Sequence, residues 1–159
     1  MYRKTLVAGT VLALFAGVSL AQSFDVVVVG SGGAGLSVAI MAKEAGSSVV
    51  VLEKMPYIGG NSNFASGGMN AACTKQQIAG GVTNDSPEIF YQDTMKGGHN
   101  LNNPALLKTL TENARYAEEW LVDLGAKFCF RKGRGGGQSV ARGHGPCDAP
   151  PSGLKFFAF

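Results

Sequence analysis

The sequence predicts an α/β fold, and three observations predict it. Two short runs rich in β-branched residues, Phe24 to Val29 (FDVVVV) and Ser48 to Leu52 (SVVVL), stand on either side of a helical pattern from Leu36 to Ala45. Six small residues, Gly30-Ser31-Gly32-Gly33-Ala34-Gly35, make the passage from the first run to the helix. The 159 residues are 45% hydrophobic and only 16% charged, the balance of a chain that buries a core rather than one that stays disordered. Glycine, at 23 residues, is about twice as frequent as the roughly 7% of an average protein. It clusters at 30–35, 59–68 and 133–145, so it marks particular loops and not a low-complexity linker.

The chain starts with a leader. Arg3 and Lys4 give a basic start, Leu6 to Leu20 is apolar, and Ser19-Leu20-Ala21 fits a small-x-small cleavage site. A membrane anchor needs about 20 apolar residues to cross a bilayer, and this run is shorter. The expectation is a secretory signal over 1–21, a mature chain from near Gln22, an exported, periplasmic location, and no membrane span after cleavage. Of the 14 basic residues Arg3 and Lys4 lie in the leader; the 12 left, against 11 acidic residues, give a formal charge of +1. That offers no electrostatic case for nucleic acid or an anionic membrane surface. Cys73, Cys129 and Cys147 are odd in number and scattered. They form neither a C-x-x-C-H haem attachment nor a zinc pattern; one disulfide is allowed after export, with at least one thiol left free.

The first strand, Phe24 to Val29, reads as buried on both faces, and so does the second. Gly46 ends the helix between them, and Glu53 closes the second strand. This is a βαβ unit within about 30 residues, of the Rossmann-like, dinucleotide-binding kind. Gly30, Gly32 and Gly35 spell G-x-G-x-x-G: the first allows a tight turn, the second a close approach to a pyrophosphate, the third close packing of helix on strand. The amino end of the helix then presents unpaired N–H groups to phosphate oxygens. Glu53, 18 residues after Gly35, is placed to accept both hydroxyls of an adenosine ribose and would repel a 2′-phosphate, which disfavours NADP. The blander accounts are a plain tight turn and a solvated charge at a strand end.

Residues 56–72 read as loop. A short helix starts at Ser86, with Pro87 in its first turn and Glu88 near its positive end, and stops at Gly97-Gly98. The clearest helix has Asn103 as N-cap, Pro104 first and Gly125 just past its end. Leu106, Leu110, Ala114, Ala117, Leu121 and Leu124 form its apolar stripe, with Tyr116 and Trp120 read as packing beside it. His99 falls in a loop, as a solvated histidine or a substrate contact. Arg131, Lys132, Arg134 and Arg142 make a basic, glycine-rich stretch: an exposed loop, or an approach path for anionic substrates.

FAD and NAD share the glycine fingerprint, so the residues after Glu53 decide between them. Here the chain resembles the FAD-dependent fumarate reductase and flavocytochrome c family, with its relatives aspartate oxidase and succinate dehydrogenase flavoprotein. Three blocks agree in order and spacing across residues 24–144: VVVVGSGGAGLSVAI, VVVLEKMPYIGGNSNFASGGMNAA and DTMKGGHNLNNPALLKTLTENARYAEEWLVDLGAKF. The resemblance implies FAD as cofactor. Gly30, Gly32, Gly33, Ala34 and Gly35 would wrap its pyrophosphate, and Glu53, with Lys54 beside it, would meet the adenosine. Gly60, Asn61, Ser62, Ser66, Gly67 and Gly68 would run along the phosphates toward the isoalloxazine, where side chains must be small. Backbone N–H groups at Gly67 and Gly68 would face flavin N5 and a bound dicarboxylate.

The reaction implied is hydride transfer from flavin N5 to an unsaturated carboxylate, fumarate being the best match. With no haem motif on the chain, electrons would come from a separate donor protein such as a cytochrome. No catalytic residue and no metal site is expected within these residues. Family members run to several hundred residues, so the chain is expected to stop before the substrate-capping domain and the returning segment of the FAD domain. On that reading 22–144 are the N-terminal part of the FAD domain. An inactive fragment and a simple dinucleotide-binding module are the competing accounts. The tail, residues 145–159, departs from the family, which continues with His-Arg-Pro and then Ser-Ala-Val-Gly. Restoring one base after the His144 codon lets the shifted frame encode His-Arg-Pro, and then Ser-Ala-Val-Gly-Phe-Glu-Ile over Ala149 to Phe156. The tail is therefore expected to be out-of-frame read-through. Resequencing checks this, and an intact gene with its stop after Phe159 would refute it.

Overall fold

The structure, a computed structural model, describes residues 22–65 and 67–147. Residues 1–21, on which the expected secretory signal falls, Ser66 and residues 148–159 of the tail lie outside them. The predicted βαβ unit is present: β1 (Val26–Val29), α1 (Gly33–Glu44) and β2 (Val49–Leu52). β1 and β2 are parallel, in register from Val26 opposite Val49 to Val29 opposite Leu52. Gly30 N–H donates to the Leu52 carbonyl at 2.8 Å, carrying the ladder one residue into the turn. α1 begins at Gly33, three residues earlier than the apolar spacing suggests, so Gly33, Ala34 and Gly35 form its first turn.

The valine runs are not buried on both faces. Val28 is 8% exposed, but Val27 is 55% and Val29 83% exposed. Among the described residues this sheet has two strands, with α1 packed against them. A parallel pair becomes fully buried only when both faces are covered.

The second half builds an antiparallel sheet ordered β3 (Met69–Asn70), β5 (Gly143–Pro146), β4 (Phe128–Arg131), with α2 (Lys75–Ala79), α3 (Pro87–Gly97) and α4 (Pro104–Asp123) beside it. Both predicted helix starts hold, at Asn103 through the predicted cap and at Ser86 through a cap that adds to the predicted Pro87 and Glu88. The Ser86 hydroxyl accepts from Ile89 N–H at 3.1 Å, and Asn103 Oδ1 accepts from Ala105 and Leu106 N–H at 3.0 and 3.2 Å. Each is followed by proline at a position whose missing N–H costs nothing. α3 packs on α4, and Ala71, Ala72, Phe90 and Ala114 form the core, with Cys73 against it.

Three expectations need correction here. α4 buries Leu107, Thr111, Ala114 and Glu118, while Leu106 is 70% and Leu110 54% exposed. Only Ala114 belongs to the predicted stripe: the buried row lies one residue further along, a rotation of about 100° on a helix of 3.6 residues per turn. The helix turns inward a row that includes Thr111 and a carboxylate, so counting apolar residues misplaces its face. Tyr116 is exposed, its ring under the Arg115 guanidinium at 4.7 Å, and is not core packing; Trp120 is partly buried. Third, the basic glycine-rich stretch is not one exposed loop. Arg131, Lys132 and Arg134 are exposed, but Arg142 has no exposed surface. Of the tail, Gly145 and Pro146 complete β5, and Cys147 is bonded to Cys129, leaving Cys73 as the free thiol. Among the described residues no helix is long and apolar enough to cross a membrane.

Candidate functional site

The glycine turn, the amino end of α1, the carboxyl end of β2 and the loop at 59–62 meet in one place. Gly30 takes φ +94°, a conformation costly to any residue with a Cβ, and so lets the chain reverse directly off β1. A Cβ on Gly35 would overlap the Gly30 carbonyl oxygen and press on the Val28 side chain at 3.3 Å, so glycine there lets α1 lie against β1. At Gly32 the opposite holds. An added Cβ would meet nothing nearer than the Gly59 oxygen at 3.9 Å, so the fold itself does not require glycine.

Gly32 is the N-cap of α1 and supplies no side-chain cap. The first N–H groups of a helix lack intrahelical acceptors, and here Gly33 N–H donates instead to the Ser62 hydroxyl at 3.0 Å. Ser62 is carried by a 3₁₀ turn over Gly60–Phe64, which a parallel bridge between Gly32 and Gly59 docks against the turn. A Cβ on Gly60 would sit 3.4 Å from the Gly32 Cα.

Glu53 projects from the end of β2. Its Oε2 accepts from Ser31 N–H at 2.9 Å and from the Ser31 hydroxyl at 2.5 Å; Oε1 accepts from Met55 N–H at 2.9 Å. These bonds, the Ser31 hydroxyl foremost, hold the carboxyl down at about 2, so it is anionic at any physiological pH. Ser31 is fully buried, and its carbonyl and hydroxyl both accept from Gly59 N–H at 3.0 Å. Ser31 occupies a variable position of the motif and is not among the residues expected from the sequence. The one available signal was a small hydroxyl between two glycines in a unit whose acid must be held in place.

Gly30, Gly32, Gly33, Ala34, Gly35, Glu53, Gly60 and Ser62 therefore come together. Lys54 and Asn61 are exposed at the rim. Gly67 and Gly68 stand with the second sheet: they lead into β3, and a Cβ on Gly68 would be 3.2 Å from the His144 carbonyl oxygen. Ser66 lies outside the described residues.

A second polar cluster underpins the segment after the glycine-rich loop. Arg142 Nε and Nη2 fork onto Asp85 at 3.0 and 2.9 Å, while Nη1 reaches Asp93 at 2.8 Å. Burial alone would raise Asp93, but hydrogen bonds from Ser139 and Arg142 outweigh it and hold the carboxyl below its ordinary value. Gln77 Nε2 donates to Asp85 at 2.7 Å and to the Ala141 carbonyl at 2.7 Å. His144, also buried, pairs with the Thr74 hydroxyl at 2.7 Å and the Arg142 carbonyl at 3.0 Å; burial holds its pKa below the ordinary histidine value. His99 is exposed, at φ +53°.

Comparison with known proteins decides the family. A family profile described as "FAD binding domain" matches residues 25–152. The chain belongs to this FAD-binding family. NADH:fumarate oxidoreductase of Klebsiella pneumoniae (strain 342) is 55% identical over 127 residues, covering 80% of this chain and 14% of the relative. Fumarate reductase (cytochrome) of Shewanella frigidimarina is 52% identical over 125 residues, covering 79% of this chain and 22% of the relative. The open conformation of a flavocytochrome c3 fumarate reductase superposes with a TM-score of 0.73 at 42% identity, over 80% of this chain and 22% of that one. The chain thus spans about a fifth or less of the length of these relatives. The resemblance read from the three sequence blocks is borne out, and so are the α/β fold and FAD as the cofactor of this FAD-binding domain. The residues at the turn fit that cofactor: α1 offers donors without intrahelical acceptors, Gly32 leaves open space beside them, and an anionic carboxylate stands next to the turn.

Proposed function

We propose that this chain is the FAD-binding part of an oxidoreductase that reduces fumarate or a similar unsaturated carboxylate. The observation that carries the reading is the turn itself: the open space at Gly32, the donors of α1 and the Glu53 anion occupy one small region. When bound, FAD would supply the redox chemistry, a hydride from N5 for the activated double bond. This chain's residues bind and orient it. Gly32, Gly33, Ala34 and Gly35 offer backbone N–H groups and close approach to the pyrophosphate, with Gly30 making the turn. Ser62, now spent on Gly33 N–H, has a hydroxyl free to turn toward a phosphate oxygen taking that donor. Glu53 accepts from the adenosine ribose with Lys54 beside it. Gly60 and Asn61 follow the phosphates, and Ser66, Gly67 and Gly68 lead toward the isoalloxazine. No residue of this chain is assigned to proton delivery to substrate.

Fumarate is supported by the two relatives that carry it in their names, at 55% and 52% identity. A cytochrome as electron donor is supported by the relative named fumarate reductase (cytochrome), and export to the periplasm by the basic start and apolar run over residues 1–21. A second reading, a chain that holds FAD without turnover, is favoured by the open face of the first sheet, where Val27 and Val29 are uncovered. One experiment separates the two. The chain is expressed, mixed with FAD, dialysed, and assayed for oxidation of a reduced viologen dye by fumarate. Retained flavin bands support the FAD-binding part; fumarate-dependent dye oxidation with them shows a chain that turns over by itself, and retained bands without it show one that holds FAD without turnover. A colourless product refutes both.

A further inference from the structure

We propose that Ser31 is the positioning residue for the adenosine end of FAD: its hydroxyl and N–H fix the Glu53 carboxylate for the ribose and tie that acid to the 59–62 loop at the phosphates. The inference rests on the FAD reading above and adds a residue to it. Three hydrogen bonds meet on the hydroxyl and N–H of this one residue. Ser31 has no exposed surface, so its hydroxyl has to be satisfied within the protein, and it is satisfied twice: it donates to Glu53 Oε2 at 2.5 Å and accepts from Gly59 N–H at 3.0 Å. Ser31 N–H adds a second bond to the same carboxylate oxygen at 2.9 Å. Hydroxyl and amide thus present a two-donor fork, and a charge-assisted pair of this kind is stronger and more directional than a neutral one.

The lone pairs then divide the work. Oε2 carries two bonds from Ser31 and is full, whereas Oε1 carries only Met55 N–H and keeps a lone pair for a ligand hydroxyl. Ser31 therefore decides which oxygen of Glu53 reads the sugar. Because the same hydroxyl accepts from Gly59, the acid also becomes rigidly linked to the segment that carries Gly60 and Ser62. Alanine at this position would leave the carboxylate to the two backbone N–H groups of residue 31 and Met55, leave Gly59 N–H with the residue-31 carbonyl alone, and let the Glu53 pKa rise. The hydrogen bonds to that carboxyl come from Ser31 and the Met55 N–H, with a weaker pull from the neighbouring Lys54 N–H. Lys54, the neighbouring charged side chain, is exposed.

The test measures FAD dissociation constants by flavin fluorescence quenching from about pH 8 to about pH 4, for the chain, Ser31→Ala and Glu53→Gln, with circular dichroism as the folding control. Affinity of the unaltered chain is expected to show only the pH dependence that FAD itself brings. Ser31→Ala is expected to bind about tenfold more weakly at neutral pH, the loss of one charge-assisted hydrogen bond, and to weaken further below about pH 5 as Glu53 begins to protonate. Glu53→Gln is expected to bind weakly, with only the pH dependence that FAD itself brings. If Ser31→Ala matches the unaltered chain throughout while Glu53→Gln is weak, the inference falls and the FAD reading stands. A weaker Ser31→Ala with no added pH dependence assigns Ser31 to packing and also overturns it. If the unaltered chain takes up no FAD, the FAD reading falls and the inference with it. Should Ser31→Ala not fold, Ser31→Cys, similar in size and a much weaker donor, is read in the same way.

Discussion

Replacing Arg142 by methionine isolates the buried cluster that anchors the segment after the glycine-rich loop. The guanidinium donates three hydrogen bonds, two to Asp85 and one to Asp93. Taken singly, bonds to charged groups are worth roughly 1.5–3 kcal/mol each, but three bonds from one group are not additive. What the variant leaves behind matters more. The Asp85 side chain is 1% exposed and that of Asp93 13%, so two carboxylates would remain in a nearly dry site with their counter-ion gone. Breaking a buried pair from one side costs about 3–5 kcal/mol, and a domain of this size has only about 5–15 kcal/mol in all. Urea denaturation followed by circular dichroism should show a loss of about 3–5 kcal/mol at pH 7, shrinking as the pH falls below about 4. The sign follows from Asp93. Its folded pKa is depressed in the intact protein, so its contribution is present above the unfolded value near 3.8 and is lost as the pH falls through the folded one. In the variant the isolated carboxylates gain by protonation instead. A loss below about 1 kcal/mol, or one independent of pH, would refute the argument.

Three further outcomes are expected. His144 is held below its ordinary value, so its neutral form is favoured by folding; stability should fall as the pH drops below about 6.5, and His144→Gln should remove that slope in urea titrations repeated across the range. Glu118 is raised above its ordinary value, by burial first and by the neighbouring Glu119 second, and its Oε2 finds no partner; Glu118→Gln should raise stability at pH 7 by about 1 kcal/mol. That gain should vanish toward pH 4, because folding already favours the protonated acid there. Gly35→Ala should destabilise by about 1–3 kcal/mol through overpacking at the Gly30 carbonyl, and a thermal melt unchanged from the parent would count against the close packing of α1 on β1.

The legible parts of this molecule are those whose cause is local. The βαβ unit follows from two valine runs and three glycines at fixed spacing, and α3 and α4 each begin at a side chain able to cap them followed by proline. The illegible parts depend on partners far along the chain. Arg142 meets Asp85 and Asp93 across 57 and 49 residues, and read alone, an arginine in a glycine-rich stretch looks solvated. β5 is Gly-His-Gly-Pro, a sequence of poor strand formers that exists as a strand because β3 and β4 pair with it on either side. α2 was hidden by its five-residue length, though Thr74 caps it through Gln77 N–H at 3.0 Å. Of the site, the glycines and Glu53 were readable because each answers to a turn, a close approach or a sugar. Ser31 was not, because its role appears only when the end of β2 is folded beside it.

The central claim, that the glycine turn is shaped for a pyrophosphate and not merely for the fold, is tested most directly by FAD binding to Gly32→Ala. An added methyl there meets no atom nearer than 3.9 Å, and φ is −67°, which alanine adopts freely, so circular dichroism and the urea midpoint should match the parent. With folding unchanged, the account predicts near-stoichiometric FAD on the parent and affinity at least about a hundredfold weaker in the variant. Equal FAD affinity in the two proteins would contradict it.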